Sequence, residues 1–251
     1  MQSALCSIFF HNYYGEHSKW LNLFSERMNV RFDLFYNIVE DSVYNLQTDY
    51  TLFDTFSSNI SQKYLNKIIL RESPNMGKDI GGKMVLMDAM LQKNLESDYI
   101  IFLHDKTSPY KIQNYQWREK LFRIIEPSFI EKAVNLFSER KEIGIIVASG
   151  SISDEFDHVH KKFSSTNAEI LMNLQKQFNI NTIDYRYISG TMFWARSLPI
   201  LNFFKKNNPL EIRKTLEKGN VMDENKGSNT HAWERLLSWA VLEQGYTIKQ
   251  L

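Results

Sequence analysis

A chain of 251 residues lies near the upper limit of one domain and is long enough to bury a sizeable core. Hydrophobic residues make up 43 % and charged residues 24 %, an ordinary globular composition that excludes disorder. Lys and Arg number 30 against 29 Asp and Glu, so the net charge of +1 gives no reason to expect nucleic acid as a partner.

Short apolar runs alternate with segments of helical period, the pattern of an α/β sheet, mostly parallel and flanked by helices. The first run, 5–10, reads as a strand. It carries the single cysteine, Cys6, expected as a buried, inert thiol. One cysteine allows no disulfide framework and fits a reducing compartment. Further strands are predicted over 32–39, 67–70, 99–103, 143–148 and 187–195. Helices are predicted over 17–28, 82–92, 115–125, 128–138 and 167–177, with a last long one starting near Thr230. In that helix Trp233, Leu236, Leu237, Ala240 and Val241 form an apolar stripe that packs on the sheet. His231 and Glu234 lie on a neighbouring face, and Gly245 marks the stop. Polar loops are expected over 154–165 and 218–229.

No repeat, low-complexity tract or Pro/Gly linker divides the chain, so one domain over 1–251 is expected. No secretory signal is recognised, and no segment approaches the ~18 apolar residues of a membrane span. A cytoplasmic protein is expected, with peripheral association at the inner face of the membrane left open.

Ligands of open α/β sheets bind outside the carboxyl ends of the strands. The polar clusters that follow predicted strands are therefore the candidate site. They are His11-Asn12-Tyr13-Tyr14, Asn75-Met76-Gly77-Lys78-Asp79-Ile80-Gly81-Gly82, His104-Asp105-Lys106-Thr107-Ser108 and Ser189-Gly190-Thr191. A fifth, Thr230-His231-Ala232-Trp233-Glu234-Arg235, opens the last helix. Glycines before a helix let an anion approach free N–H groups, although a plain strand-to-helix turn reads the same way. Lys106 suits a diphosphate as a point charge, with His104 donating beside it; the alternative is a solvated loop lysine. His104, Asp105, His158, His160 and His231 show no zinc spacing, and Asp105 has no Asp-x-Asp partner. No metal or other cofactor is expected, with a divalent ion through Asp105 as the alternative. Phe193 and Trp194 are read as core aromatics.

These strings, in this order, resemble the rhamnan synthesis F family of bacterial polysaccharide glycosyltransferases. The resemblance runs from His11-Asn12-Tyr13-Tyr14 through Trp117-Arg118 and Gly190-Thr191-Met192-Phe193-Trp194-Ala195-Arg196 to His231-Ala232-Trp233-Glu234-Arg235-Leu236. Two positions depart from the family pattern: Lys78 stands in place of Arg, and Asp105 in place of a neutral residue. The resemblance implies a GT-A-like nucleotide-sugar fold in which His104-Asp105-Lys106 replaces the usual Asp-x-Asp. It places His11 and Tyr13 beside the base, and Asn75, Gly77, Lys78 and Asp79 along the donor. Gly190 and Thr191 would lie beneath the donor. Glu234 takes the place of the general base, with Asp223 and Glu224 as rivals and His231 and Arg235 on the acceptor side. The implied substrates are a nucleotide-sugar donor, with a deoxyhexose such as rhamnose favoured, and a glycan or lipid-linked glycan acceptor. A catalytically inactive module of a polysaccharide assembly complex is the main alternative. A phosphotransferase is another, disfavoured by the lack of paired carboxylates.

Overall fold

The computed structural model describes residues 5–58, 63–105, 119–222 and 226–251. The first half runs β1 (Cys6–Asn12), α1 (His17–Arg27), β2 (Phe32–Val39), α2 (Thr51–Ser58), β3 (Leu65–Ser73), α3 (Lys78–Gln92) and β4 (Tyr99–His104). A 3₁₀ turn over Arg123–Ile125 leads to α4 (Pro127–Glu139) and β5 (Ile143–Val147). Short strands β6 (Ile152–Asp154), β7 (Phe156–Asp157) and β8 (Lys162–Phe163) precede α5 (Ala168–Phe178), β9 (Arg186–Ile188) and β10 (Phe193–Arg196). The chain closes with α6 (Ser197–Lys206), α7 (Pro209–Lys214), α8 (Asn229–Leu242) and β11 (Thr247–Gln250).

The central sheet has seven strands in the order β11-β5-β10-β4-β1-β2-β3. Every neighbouring pair is parallel except those of β10, which runs antiparallel to both β4 and β5. This is the expected mixed α/β sheet, mostly parallel and helix-flanked, and it is consistent with a GT-A-like architecture. Helices cover both faces, which is why the strands read as continuous apolar runs rather than alternating ones. Phe9, Phe35, Phe102 and Phe193 point into the layer built by α3, α5, α6 and α8. Phe10, Tyr36, Leu103 and Trp194 point into the layer of α1, α2 and α4. Phe193 and Trp194 are fully buried, as read from the sequence, and Trp194 Nε1 donates to the Ile124 carbonyl at 2.8 Å. Cys6 is buried too, and burial pushes its thiol far up, out of the reactive range.

The structure revises several elements. The single strand expected over 187–195 is two strands in different sheets, because β9 pairs with β6 while β10 joins the central sheet. The break is the turn at Gly190 (φ 81°) and Thr191 (φ 52°), both left-handed and incompatible with a strand. Helix α3 begins at Lys78 rather than at residue 82, since left-handed Gly77 sets its N-cap. The loop expected over 154–165 contains β7 and β8. Of the helix predicted over 115–125, residues 115–118 lie outside the described residues, and its end is the 3₁₀ turn. Among the described residues no helix is long and apolar enough to cross a membrane.

Candidate functional site

Three adjacent strands end in one row. His11 of β1 is level with Asn37 of β2 on one side and His104 of β4 on the other. Alternation along each strand sends these side chains to the same face as Phe9, Phe35 and Phe102, towards α3 and α8. Asn37 Nδ2 lies 3.1 Å from His11 Nδ1, and Ser73 Oγ donates to Asn37 Oδ1 at 3.1 Å. Helix α3 crosses this row closely. A Cβ on Gly82 would sit 1.9 Å from His11 Nδ1, so only glycine fits there. His11 is therefore 1 % exposed beneath the helix, while Tyr13 stays half-buried at the rim.

The first turns of α3 carry the polar centre. Asp79 and Lys83, one helical turn apart, pair at 2.6 Å, and Lys83 is 1 % exposed. Lys83 Nζ also donates to Thr191 Oγ1, and Thr191 Oγ1 donates to Asp79 Oδ2 at 2.5 Å. His104 Nδ1 stands 3.5 Å from the same carboxylate oxygen. Burial alone would push the Asp79 carboxyl up. The Lys83 and His104 charges and the bonds from Lys83 and Thr191 outweigh it and hold Asp79 well below the usual carboxylate range. Burial draws Lys83 down despite the opposing pull of Asp79. The left-handed turn of Gly190 and Thr191 is what delivers the threonine hydroxyl to this pair.

Glu234 approaches from α8. Its Oε1 accepts from the Gly190 N–H at 2.9 Å, and its Oε2 accepts from Arg235 Nη1 at 2.9 Å. Burial raises its carboxyl above the usual range, with Asp79 adding to the rise, against the opposing effects of Arg235, the Gly190 N–H and Lys83. The helix start is capped on two sides. Ser228 Oγ accepts from the His231 N–H at 3.2 Å, and Glu217 accepts from Asn229 N at 2.7 Å and Thr230 N at 2.9 Å. His231 sits between Ser228 Oγ, 2.5 Å from its Nδ1, and Lys78 Nζ, 3.4 Å from its Nε2. Lys78 and His231, separated widely in sequence, thus meet at the N-terminus of α3.

Asp105 has a different task. Its Oδ1 accepts from Tyr13 N at 2.7 Å, and its Oδ2 from Tyr14 N at 2.9 Å and Asn12 Nδ2 at 3.0 Å. It clamps the loop after β1, and burial pushes its carboxyl up to about 7 against the lowering effect of those backbone N–H groups. Further out, Asn75 Nδ2 donates to Asn220 Oδ1 at 3.0 Å, and Asn220 Nδ2 donates to the Tyr13 hydroxyl at 3.1 Å. That chain ties three rim loops together. Gly77 N donates to the Glu217 carbonyl at 2.7 Å.

The structure therefore brings together Asp79, His104, Thr191, Gly190, Glu234 and Arg235, with Lys78 and His231 alongside. Lys106, Asp223 and Glu224 lie outside the described residues. His158 and His160 are exposed and pair with Asp154 and Asp157 of their own loop. Among the described residues no group of three or more His, Cys, Asp or Glu is arranged to hold a metal ion. Sequence reading missed Lys83, Asn37, Glu155 and Glu217. Only Lys83 carried a signal, its spacing of four from Asp79, and that signal disappears if α3 is started at residue 82.

A search of curated proteins finds no match. The family model described as rhamnan synthesis protein F matches residues 2–246, nearly the whole length, and its implied setting is the synthesis of rhamnan polysaccharide. With that span matched, the chain belongs to the rhamnan synthesis protein F family.

Proposed function

We propose that this chain is a glycosyltransferase, one domain over 1–251, that moves a sugar from a nucleoside diphosphate sugar to a growing bacterial surface polysaccharide. The observation that carries the reading is the meeting of Asp79, Lys83, His104, Thr191 and Glu234 at the carboxyl edge of the central strands. Such an edge is where α/β sheets take their ligands.

In the reaction the acceptor hydroxyl oxygen attacks the anomeric carbon, and the bond from that carbon to the diphosphate oxygen breaks. The hydroxyl proton passes to a base, and the electron pair leaves with the diphosphate. Lys78 and His231, with the N-terminus of α3 behind them, suit the growing negative charge. His104 supports the same charge from the end of β4, and Lys106, two residues on in the sequence, is assigned to the same task. Asp79, held ionised, accepts from donor-sugar hydroxyls, and the Gly190-Thr191 turn sets the floor beneath the sugar. Tyr13 and Asn75 lie along the nucleoside side.

Glu234 serves as the base. Its raised affinity for protons makes it a stronger one. The Gly190 N–H and Arg235 fix its orientation, and each carboxylate oxygen keeps a further lone pair for the acceptor proton. A deoxyhexose donor such as rhamnose fits the family setting, with a glycan or lipid-linked glycan as acceptor. The work would take place in the cytoplasm at the inner face of the membrane.

Cationic side chains in place of paired acids lead to nucleotide binding that needs no divalent ion. Calorimetric titration of dTDP and UDP into chelator-treated protein is expected to show binding. Affinity that vanishes with EDTA and returns with manganese would overturn this and assign a metal to the site. A second reading, a non-catalytic binding module, draws on the engagement of both Glu234 oxygens. It predicts no transfer by the unmodified chain and nucleotide-sugar binding that is weak or absent.

A further inference from the structure

Glu155 sits outside the crevice and is 2 % exposed. Its backbone is pinned on both sides: its N–H donates to the Tyr185 carbonyl at 3.1 Å, and its carbonyl accepts from Ser164 N at 2.8 Å. Its Oε1 accepts from Ser165 N at 3.1 Å, and its Oε2 from Arg235 Nε at 2.8 Å. The same guanidinium lies 4.3 Å over the Tyr187 ring and donates through Nη1 to Glu234 Oε2 at 2.9 Å and to the His231 carbonyl at 3.0 Å. One buried cation is thus shared by two carboxylates on different edges of its planar fork.

We infer that Glu155 is a positioning residue for Glu234: by sharing the Arg235 guanidinium it limits how far that cation weakens Glu234 as a base. The inference rests on Glu234 acting as the base in the proposed transfer. An unshared Arg235 would spend its whole field on Glu234, and a cation within about 4–6 Å lowers a carboxyl by roughly 1–3 pH units. Sharing returns part of that. The charged and titratable groups facing Glu234 are Arg235 on its own helix, Asp79 and Lys83 from α3, and Tyr187 from β9. Arg235 bonds Glu234 through one edge of its fork and the buried carboxylate of Glu155 through another, and that makes Glu155 the control point. A purely structural Glu155 would change the melting temperature and leave the titration of Glu234 untouched.

The test is a carbon-detected NMR titration of the Glu234 carboxyl in the full chain, together with the pH profile of kcat/KM for transfer. In Glu155→Gln the Glu234 midpoint is expected to fall by roughly half to one pH unit, a fraction of the full effect of a neighbouring cation. The acidic limb of the profile should fall with it, along with kcat. Glu155→Asp keeps the charge but withdraws it, and its midpoint is expected between those of Glu155→Gln and the unmodified chain. If Glu155→Gln does not fold, the aspartate variant alone decides. An unchanged Glu234 midpoint in a folded variant overturns the inference. The titration needs no activity, so a shifted midpoint without any transfer would retire the base assignment while leaving the coupling intact.

Discussion

Glu234, Asp79 and Lys83 show how burial turns ordinary side chains into a reactive set. Glu234→Gln keeps the Gly190 contact and the shape but cannot take a proton. Transfer is expected to drop by about 10²–10⁴-fold with donor affinity and melting temperature retained. A kinetic assay beside a thermal melt checks this, and a variant that transfers at near the original rate assigns the proton to another group. Lys83→Met removes the cation that Asp79 leans on, leaving a carboxylate in a nearly closed site. Breaking one side of a buried pair costs about 3–5 kcal/mol. The Asp79 carboxyl should rise back through the usual range as it loses Lys83. Chemical denaturation and carboxyl titration would show both effects, and an unchanged stability would mean that water reaches the pair.

Helix α3 and the loop after β1 carry the arguments at the level of elements. The helix can cross the His11–Asn37–His104 row only because Gly82 presents no Cβ to His11. Gly82→Ala forces either the helix or the imidazole aside, and overpacking of that kind costs about 1–3 kcal/mol. Since α3 carries Lys78, Asp79 and Lys83 together, the same change should weaken nucleotide binding as well as stability. Binding that stays intact in a destabilised Gly82→Ala protein would show that the helix start moves independently of its middle. The Tyr13-Tyr14 loop depends in a similar way on Asp105, whose two oxygens hold both backbone N–H groups. The Gly190-Thr191 turn is the third such device, held by Glu234 from a helix far away in sequence.

For the whole molecule, pH acts through these buried carboxyls with opposite signs. Asp105, raised to about 7 by burial, binds a proton in the folded state between the ordinary carboxylate range and neutrality while the unfolded chain does not. Its contribution to stability is therefore full at acid pH and declines as pH rises through that window, by about 4 kcal/mol in all. Asp79, held low, contributes stability above the ordinary range that is lost only as pH falls towards its folded value. Glu234, raised, follows the sign of Asp105. Between pH 5 and 8 the contribution of these raised carboxyls should thus fall with rising pH, and Asp105→Asn should remove its part of that fall even though it weakens the clamp. Denaturant melts of both proteins across this range decide it. A slope that Asp105→Asn leaves unchanged would move the effect to Glu234.

The sequence by itself determined the class of the fold, most strand cores and the strand-end strings that carry the family resemblance. These follow from local physics: apolar runs of strand length, a helical stripe in α8, and glycines placed before helices. The burial of Trp194, Phe193 and Cys6 was legible for the same reason. Tertiary structure decided the rest. Gly190 is the local mark of the break between β9 and β10, but only the choice of different partner strands puts them in different sheets. That Asp105 closes the β1 loop with both oxygens, and that α3 lays Lys83 against Thr191, are facts of tertiary contact that no local pattern carries. Glu155 carried no signal, because its meaning depends on a guanidinium eighty residues away in the chain. Roles of this kind come from long-range juxtaposition, and the pairing of strands and helices that creates it is settled by the collective packing of two cores rather than by any one segment.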